Sequence, residues 1–137
     1  MSYLLDTNVV SEVRRRAPDP GVASWWKEVP ADRLYLSVLT VGEIQRGAQR
    51  CRKRGDDPQA TRLEEWLAAM TRQFAARILP VTAEVTVEWG RQDNGRPVPV
   101  TDALIAATAR VHDLTLVTRN VRDMERTGAR VHNPFSG

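Results

Sequence analysis

The sequence predicts an α/β protein: a parallel sheet of four to five strands flanked by helices on both faces. Three observations predict it. Short apolar runs alternate with longer stretches of helical periodicity, and strands separated by helices require crossover connections and parallel pairing. The runs, such as Tyr3-Leu4-Leu5, Leu34-Tyr35-Leu36 and Leu114–Val117, are continuous rather than alternating, as in strands covered on both sides. Acids recur at corresponding points of successive strand–helix units, at Asp6, Glu43 and Asp102. In open α/β sheets ligands bind beyond the carboxyl ends of the strands, where the strand order reverses.

Each element follows in turn. Tyr3–Asp6 reads as the first strand and Asn8–Arg16 as a helix stopped by Pro18 and Pro20, which cannot continue it. Gly21–Lys27 is a short helix carrying Trp25 and Trp26. Leu34–Ser37 is the second strand, followed by a long helix over Val38–Lys53. Gly55-Asp56-Asp57-Pro58 is a loop whose proline can open the next helix. That helix runs to Phe74, with Leu63, Trp66, Leu67 and Met70 at three- and four-residue spacing. Ile78–Val81 is the third strand, Thr82 caps a helix reaching Arg91, and Asp93–Pro97 is a loop. Thr101–His112 is a nearly all-apolar helix, Leu114–Thr118 the fourth strand and Ala129–His132 a weak fifth.

The totals agree with this reading. A chain of 137 residues suits one domain, residues 1–137, and can bury a sizeable core without a disulfide or structural metal. Hydrophobic residues at 42% and charged residues at 27% exclude a disordered chain. No apolar stretch approaches the roughly 20 residues that span a bilayer, and the N-terminus lacks the pattern of a signal peptide. The one cysteine, Cys51, has no partner for an internal disulfide, so the expected location is the cytoplasm. The formal charge is +3, with basic clusters at Arg14-Arg15-Arg16 and at Arg50, Arg52, Lys53 and Arg54. Such clusters either track phosphates or are solvated helix ends favoured by the C-terminal dipole.

Each acid has an ordinary structural reading. Asp6 can cap the first helix. Glu43 can complete a capping box with Thr40, unless Ser37 is the true cap. Asp102 can be a first-turn acid favoured by the helix dipole, and Asp123 an exposed surface acid. These readings do not explain why the acids recur at matching places. Carboxylates that converge in one cleft repel one another unless a cation neutralises them. Oxygen-only ligands select Mg²⁺ or Mn²⁺. His112 and His132 lie far from the pattern, which argues against zinc. A Mg²⁺ held by few carboxylates can polarise a phosphate oxygen and activate a water, the chemistry of phosphodiester hydrolysis.

Four stretches, in order along the chain, carry a family resemblance: LLDTNVVSE (Leu4–Glu12), YLSVLTVGEIQRG (Tyr35–Gly47), PVTDALIAATARVHDLTLVTRN (Pro99–Asn120) and the ending VHNPF (Val131–Phe135). On these the chain resembles the PIN-domain ribonucleases, specifically the VapC/FitB-like toxins of type II toxin–antitoxin modules. The resemblance implies a PIN fold with an acidic metal site at the carboxyl edge of its sheet. It implies that Asp6 and Asp102 bind Mg²⁺ directly and that Glu43 binds directly or through water, or orients the attacking water. Thr7, Asn8 and Thr118 match positions that support such a site by hydrogen bonds. Where some relatives carry a fourth acid this chain has Asn120, a weaker neutral ligand, and Asp123 is the acid placed to act through water. Arg119 is a candidate phosphate contact. The resemblance further implies an RNA substrate, a homodimer, and a cognate antitoxin that joins it in a hetero-oligomer. The antitoxin would lie in a groove among Val41–Arg50 and Leu63–Phe74, with Trp66, Leu67 and Met70 as candidate lining.

Two rivals stand beside the Mg²⁺-dependent endoribonuclease. A phosphoaspartate enzyme would use Asp6 as nucleophile, but Asn8 stands where its second acid belongs, and Lys27 and Lys53, the only lysines, are not at a strand end. An RNA-binding PIN module with weak or no nuclease activity is the alternative that Asn120 keeps open.

Overall fold

A computed structural model of the chain describes residues 1–92, 95 and 97–137. Among them five strands form one parallel sheet: β1 (Tyr3–Leu5), β2 (Leu34–Ser37), β3 (Ile78–Leu79), β4 (Thr115–Val117) and β5 (Val131–His132), in the order β3-β2-β1-β4-β5. The helices are α1 (Thr7–Val13), α2 (Pro20–Glu28), α3 (Val38–Lys53), α4 (Asp57–Gln73), α5 (Ala83–Gly90), α6 (Val100–Val111) and α7 (Val121–Glu125). The predicted α/β class and the sheet flanked by helices are what the chain adopts.

The continuous apolar runs have a direct cause. Neighbouring residues of a strand face opposite sides, and in β1 both Leu4 and Leu5 are fully buried. Leu5 packs with Val9, Val22, Leu36, Met70 and Phe74 on one face. Leu4 packs with Ile105, Ala106, Leu116 and Met124 on the other. Two cores thus sandwich the central strand. Its register sets Leu5 beside Val117 of β4. The chain steps outward from β1 through β2 to β3, then returns to lay β4 on the other side of β1. The strand order therefore reverses between β1 and β4, and this reversal positions the site.

Helix starts follow the sequence closely. Ser37 caps α3 by accepting from Leu39 N–H at 3.0 Å, and Asp56 and Thr82 cap α4 and α5. Gly55, at φ +81°, takes the left-handed turn that lets α4 fold back on α3. The small side chains Ala48, Cys51 and Ala60 meet between those two helices. Ends differ more. α1 stops at Val13, three residues before the expected Arg16, because Glu12 turns back to accept Asp19 N–H at 2.8 Å. β3 is two residues rather than four, since Pro80 has no N–H for the ladder. β5 likewise shortens to Val131–His132. α7 was not anticipated; of its five residues only Met124 is buried, so no helical period is visible in the sequence. The loop expected over Asp93–Pro97 includes Asp93, Asn94 and Arg96, which lie outside the described residues.

The chain's last residues return to α2. Asp19, its cap, accepts Val22 N–H at 3.0 Å, Ser136 N–H at 2.9 Å and the Ser136 hydroxyl at 2.7 Å. Those bonds hold the Asp19 carboxyl below the usual carboxylate range. Gly21 lets this strap pass: a Cβ there would stand 2.4 Å from Pro134 O.

Candidate active site

The site begins where β1 ends. Asp6 is 4% exposed and caps α1, its Oδ1 accepting Thr7 N–H at 2.8 Å. Its Oδ2 accepts the Thr118 hydroxyl at 2.8 Å and Asn8 Nδ2 at 3.3 Å. Capping thus occupies one oxygen while the other accepts from Thr118 at the end of β4 and from Asn8, so the capping role does not exhaust the carboxylate. Burial raises the Asp6 pKa, against the lowering by the Thr118 and Thr7 hydrogen bonds, and the charge of Glu43 raises it further.

Thr118 is fully buried and follows β4 directly. Its oxygen also accepts Asn120 N–H at 3.0 Å, and Asn8 Oδ1 accepts Arg119 N–H at 3.2 Å. These bonds join the ends of β1 and β4 across the reversal point. Thr7, Asn8 and Thr118 each hydrogen-bond to one or two of the acids.

Glu43 stands in the second turn of α3. Since Ser37 is the cap, the capping box of Thr40 with Glu43 does not form. Instead the Thr7 hydroxyl donates to Glu43 Oε1 and lies 3.1 Å from the buried Thr40 hydroxyl. With its single proton on the carboxylate, Thr7 receives that of Thr40. Thr40, read from the sequence as a possible cap paired with Glu43, lies instead inside α3 and reaches Glu43 through Thr7.

Asp102 occupies the first turn of α6, half-buried, and no hydrogen bond reaches its carboxylate among the described residues. Its pKa is raised to about 6, by burial first and then by the charges of Asp6, Glu43 and Asp123. The four acids thus share one electrostatic neighbourhood. Asp123, in the first turn of α7, is more open and stands 3.7 Å from Arg126. Asn120 precedes α7, and its side chain makes no capping bond. The Arg119 guanidinium lies over the Phe135 ring at 4.8 Å and forms no ion pair with the acids among the described residues.

The donor set fits a hard divalent cation: every side chain here offers oxygen, and repulsion disfavours their joint ionisation. Among the described residues no three His, Cys, Asp or Glu side chains stand close enough to coordinate one ion together. Thr7 links two of the acids, its N–H on Asp6 and its hydroxyl on Glu43. One or two direct carboxylates with water completing the shell is an arrangement that suits Mg²⁺.

Two concavities adjoin the sheet's carboxyl edge and the helices. A cleft of about 510 Å³ runs from Glu43 past Gly42 and Arg46 to Arg50, with Val38 and Thr101 on its walls. An apolar cavity of about 240 Å³ lies between α4 and the α1–α2 pair, lined by Val13, Trp26, Trp66, Met70 and Phe74. Of the groove between α3 and α4 that the resemblance implied, Ile44 and Leu67 are buried in the core, while Trp66 and Met70 border the apolar cavity instead.

The chain matches the PIN domain family model over residues 3–129. It is 33% identical to Toxin FitB of Neisseria gonorrhoeae, the match covering 96% of this chain and 97% of that protein. It is 34% identical to VapC ribonuclease Y4jK of Sinorhizobium fredii, covering 96% of each. Among solved structures it resembles FitAcB from Neisseria gonorrhoeae with a TM-score of 0.81 at 32% identity, covering 96% of this chain and 97% of that one. It resembles FitAB bound to an IR36 DNA fragment with a TM-score of 0.82 at 29% identity, covering 98% and 96%.

Proposed function

The chain belongs to the PIN-domain family, and on that premise we propose that it is a Mg²⁺-dependent endoribonuclease toxin, working as one domain. The observation that carries this reading is the electrostatic convergence of Asp6, Glu43, Asp102 and Asp123 at the reversal point of a parallel sheet. That two relatives are named a toxin and a ribonuclease supports it.

In this reading Asp6 and Asp102 hold the cation directly, Glu43 and Asp123 act through water, and Mn²⁺ can replace Mg²⁺. The bound ion supplies charge neutralisation and polarises a phosphate oxygen. Thr118 and Asn8 fix the Asp6 carboxylate, so its free lone pairs keep one direction. Thr7, braced by Thr40, orients Glu43, which positions the attacking water by accepting its hydrogen bond. Arg119 sits one residue beyond Thr118, and its stacking on Phe135 keeps the guanidinium extended toward solvent, where an RNA phosphate can meet it.

A cognate antitoxin is the proposed protein partner, joining a homodimer of this chain in a hetero-oligomer. The apolar cavity bordered by Trp26, Trp66 and Met70 is the place where an amphipathic helix would lodge. Among the described residues no helix is long and apolar enough to cross a membrane.

The test is cleavage of a mixed small-RNA pool by antitoxin-free protein in Mg²⁺, Mn²⁺ or EDTA, with Asp6→Asn and Asp102→Asn alongside. Cutting that needs the cation and is lost in both variants is expected. Cutting that persists in both would displace the site, and RNA binding without cutting would favour the non-catalytic alternative that Asn120 suggests.

A further inference from the structure

We infer that the cleft along α3, from Glu43 to Arg50, is a subsite for the sugar–phosphate backbone of single-stranded RNA flanking the scissile bond. Its placement beside a bond to be cut rests on the nuclease reading above; its affinity for RNA does not.

The cleft is open, about 510 Å³, and its long wall is one helical face. Gly42, Arg46 and Arg50 succeed one another at four-residue steps, so their side chains stack along that face. Four residues of helix rise about 6 Å, of the order of the separation between consecutive phosphates on a strand. The two guanidiniums can therefore address two successive phosphates. Glu43 lines the end nearest the acids, so a strand lying along the cleft runs directly into the site.

Arg46 and Arg50 are also chemically available. Several other arginines are engaged within the fold. Arg15 pairs with Glu12, Arg52 with Glu64, Arg110 with Glu88 and Arg130 with Asp113. Arg77 donates to Leu34 O, and Arg14 lies over Trp66. The side chains of Arg46 and Arg50 are exposed and form no ion pair or hydrogen bond among the described residues. A +3 chain that concentrates acids at one end of a cleft and leaves two arginines free along it separates two tasks. The acids suit a cation, and the arginines suit the phosphates on either side of it.

The lining also says how the strand is read. It contains no aromatic side chain, so bases do not stack there, and Val38 and Leu39 are its only aliphatic residues. It lacks the enclosed aromatic or aliphatic pocket that a protein anchor fills. Recognition is therefore of the backbone and tolerant of sequence at this position.

The experiment is anisotropy of a labelled single-stranded RNA of about 12 nucleotides, titrated with the whole chain in EDTA across a series of salt concentrations. Arg46→Ala/Arg50→Ala should weaken binding roughly tenfold or more and flatten the slope of log affinity against log salt by about 1.4, two contacts at about 0.7 each. Arg46→Lys/Arg50→Lys should keep the slope. Gly42→Gln should weaken binding with the slope intact, because a Cβ at Gly42 meets nothing within 4 Å and the side chain fills the cleft without disturbing the fold. Arg72→Ala, outside the cleft, should change neither. An unchanged slope in the alanine pair overturns the subsite, as does an equal effect of Arg72→Ala. So does an alanine pair whose particle mass changes by light scattering while its RNA slope stays intact, which would make this face a protein contact. A cleavage arm with Mg²⁺ separates the two readings. Wild type that binds as expected and never cuts removes the nuclease and leaves the subsite. Wild type that cuts, with an alanine pair of unaltered KM, removes the subsite and leaves the nuclease.

Discussion

At the scale of single residues, Asp102 has the most telling environment. Its ordinary pKa is 3.8 and the fold raises it to about 6. Below pH 4 it is neutral folded or unfolded, and above pH 6 it is charged in both. Between these values the folded state holds the proton and the unfolded state does not, so the contribution of this group to stability grows as pH falls from about 6 toward 4. Asp6 shifts in the same direction. Without a cation, Asp102→Asn should therefore stabilise the chain at pH 7 by about 1 kcal/mol, after allowing for solvent screening of a half-exposed group. Near pH 4 it should change nothing. Calorimetry at both pH values checks this, and the difference between variant and wild type isolates Asp102 from groups shifted the other way, such as Asp19 and Glu64. Saturating Mg²⁺ should raise the wild-type Tm at pH 7, since binding to the folded state alone stabilises by about 2.7 kcal/mol at a hundred times Kd. It should raise it less at pH 5 and hardly at all in Asp102→Asn. Thr118→Val keeps the volume but removes the donor to Asp6. It should cost about 1–3 kcal/mol and weaken cation binding roughly 10–100-fold, measured by isothermal titration.

At the scale of elements, the strap from Pro134 to Ser136 holds α2 to the end of the chain through Asp19. Gly21→Ala forces a Cβ against backbone that cannot yield cheaply, so about 1–3 kcal/mol of stability should be lost. The same change should loosen Phe135 beneath Arg119. Urea denaturation reads the first effect; the second appears as a raised KM for RNA with kcat preserved. Elements were legible in the sequence in proportion to their punctuation. β2 and α3 matched their expected bounds because Ser37 both ends the strand and caps the helix. Thr82 did the same for the start of α5. α7 was invisible because one buried side chain makes no pattern, and β3 was overextended because Ile78-Leu79-Pro80-Val81 is apolar throughout while only two residues pair.

At the scale of the whole molecule, the individual acids were legible, but what brings them together was not. Nothing in the spacing of Asp6 and Thr118 states that their strands are neighbours; that follows from the order β3-β2-β1-β4-β5, in which the first strand is central. The contact of Thr40 with Thr7 and the empty flank at Gly42 are visible only once α3 lies against α1 and α6 opens beside it. The same central placement governs when the site comes into being. Asp6 and Thr118 are separated by 112 positions, and contacts of such separation form late because a long loop must close first. Asp6, Glu43 and Asp102 are all synthesised before Thr118, the residue that fixes Asp6. The growing chain thus carries three of the four acids before the contact that fixes Asp6 can form.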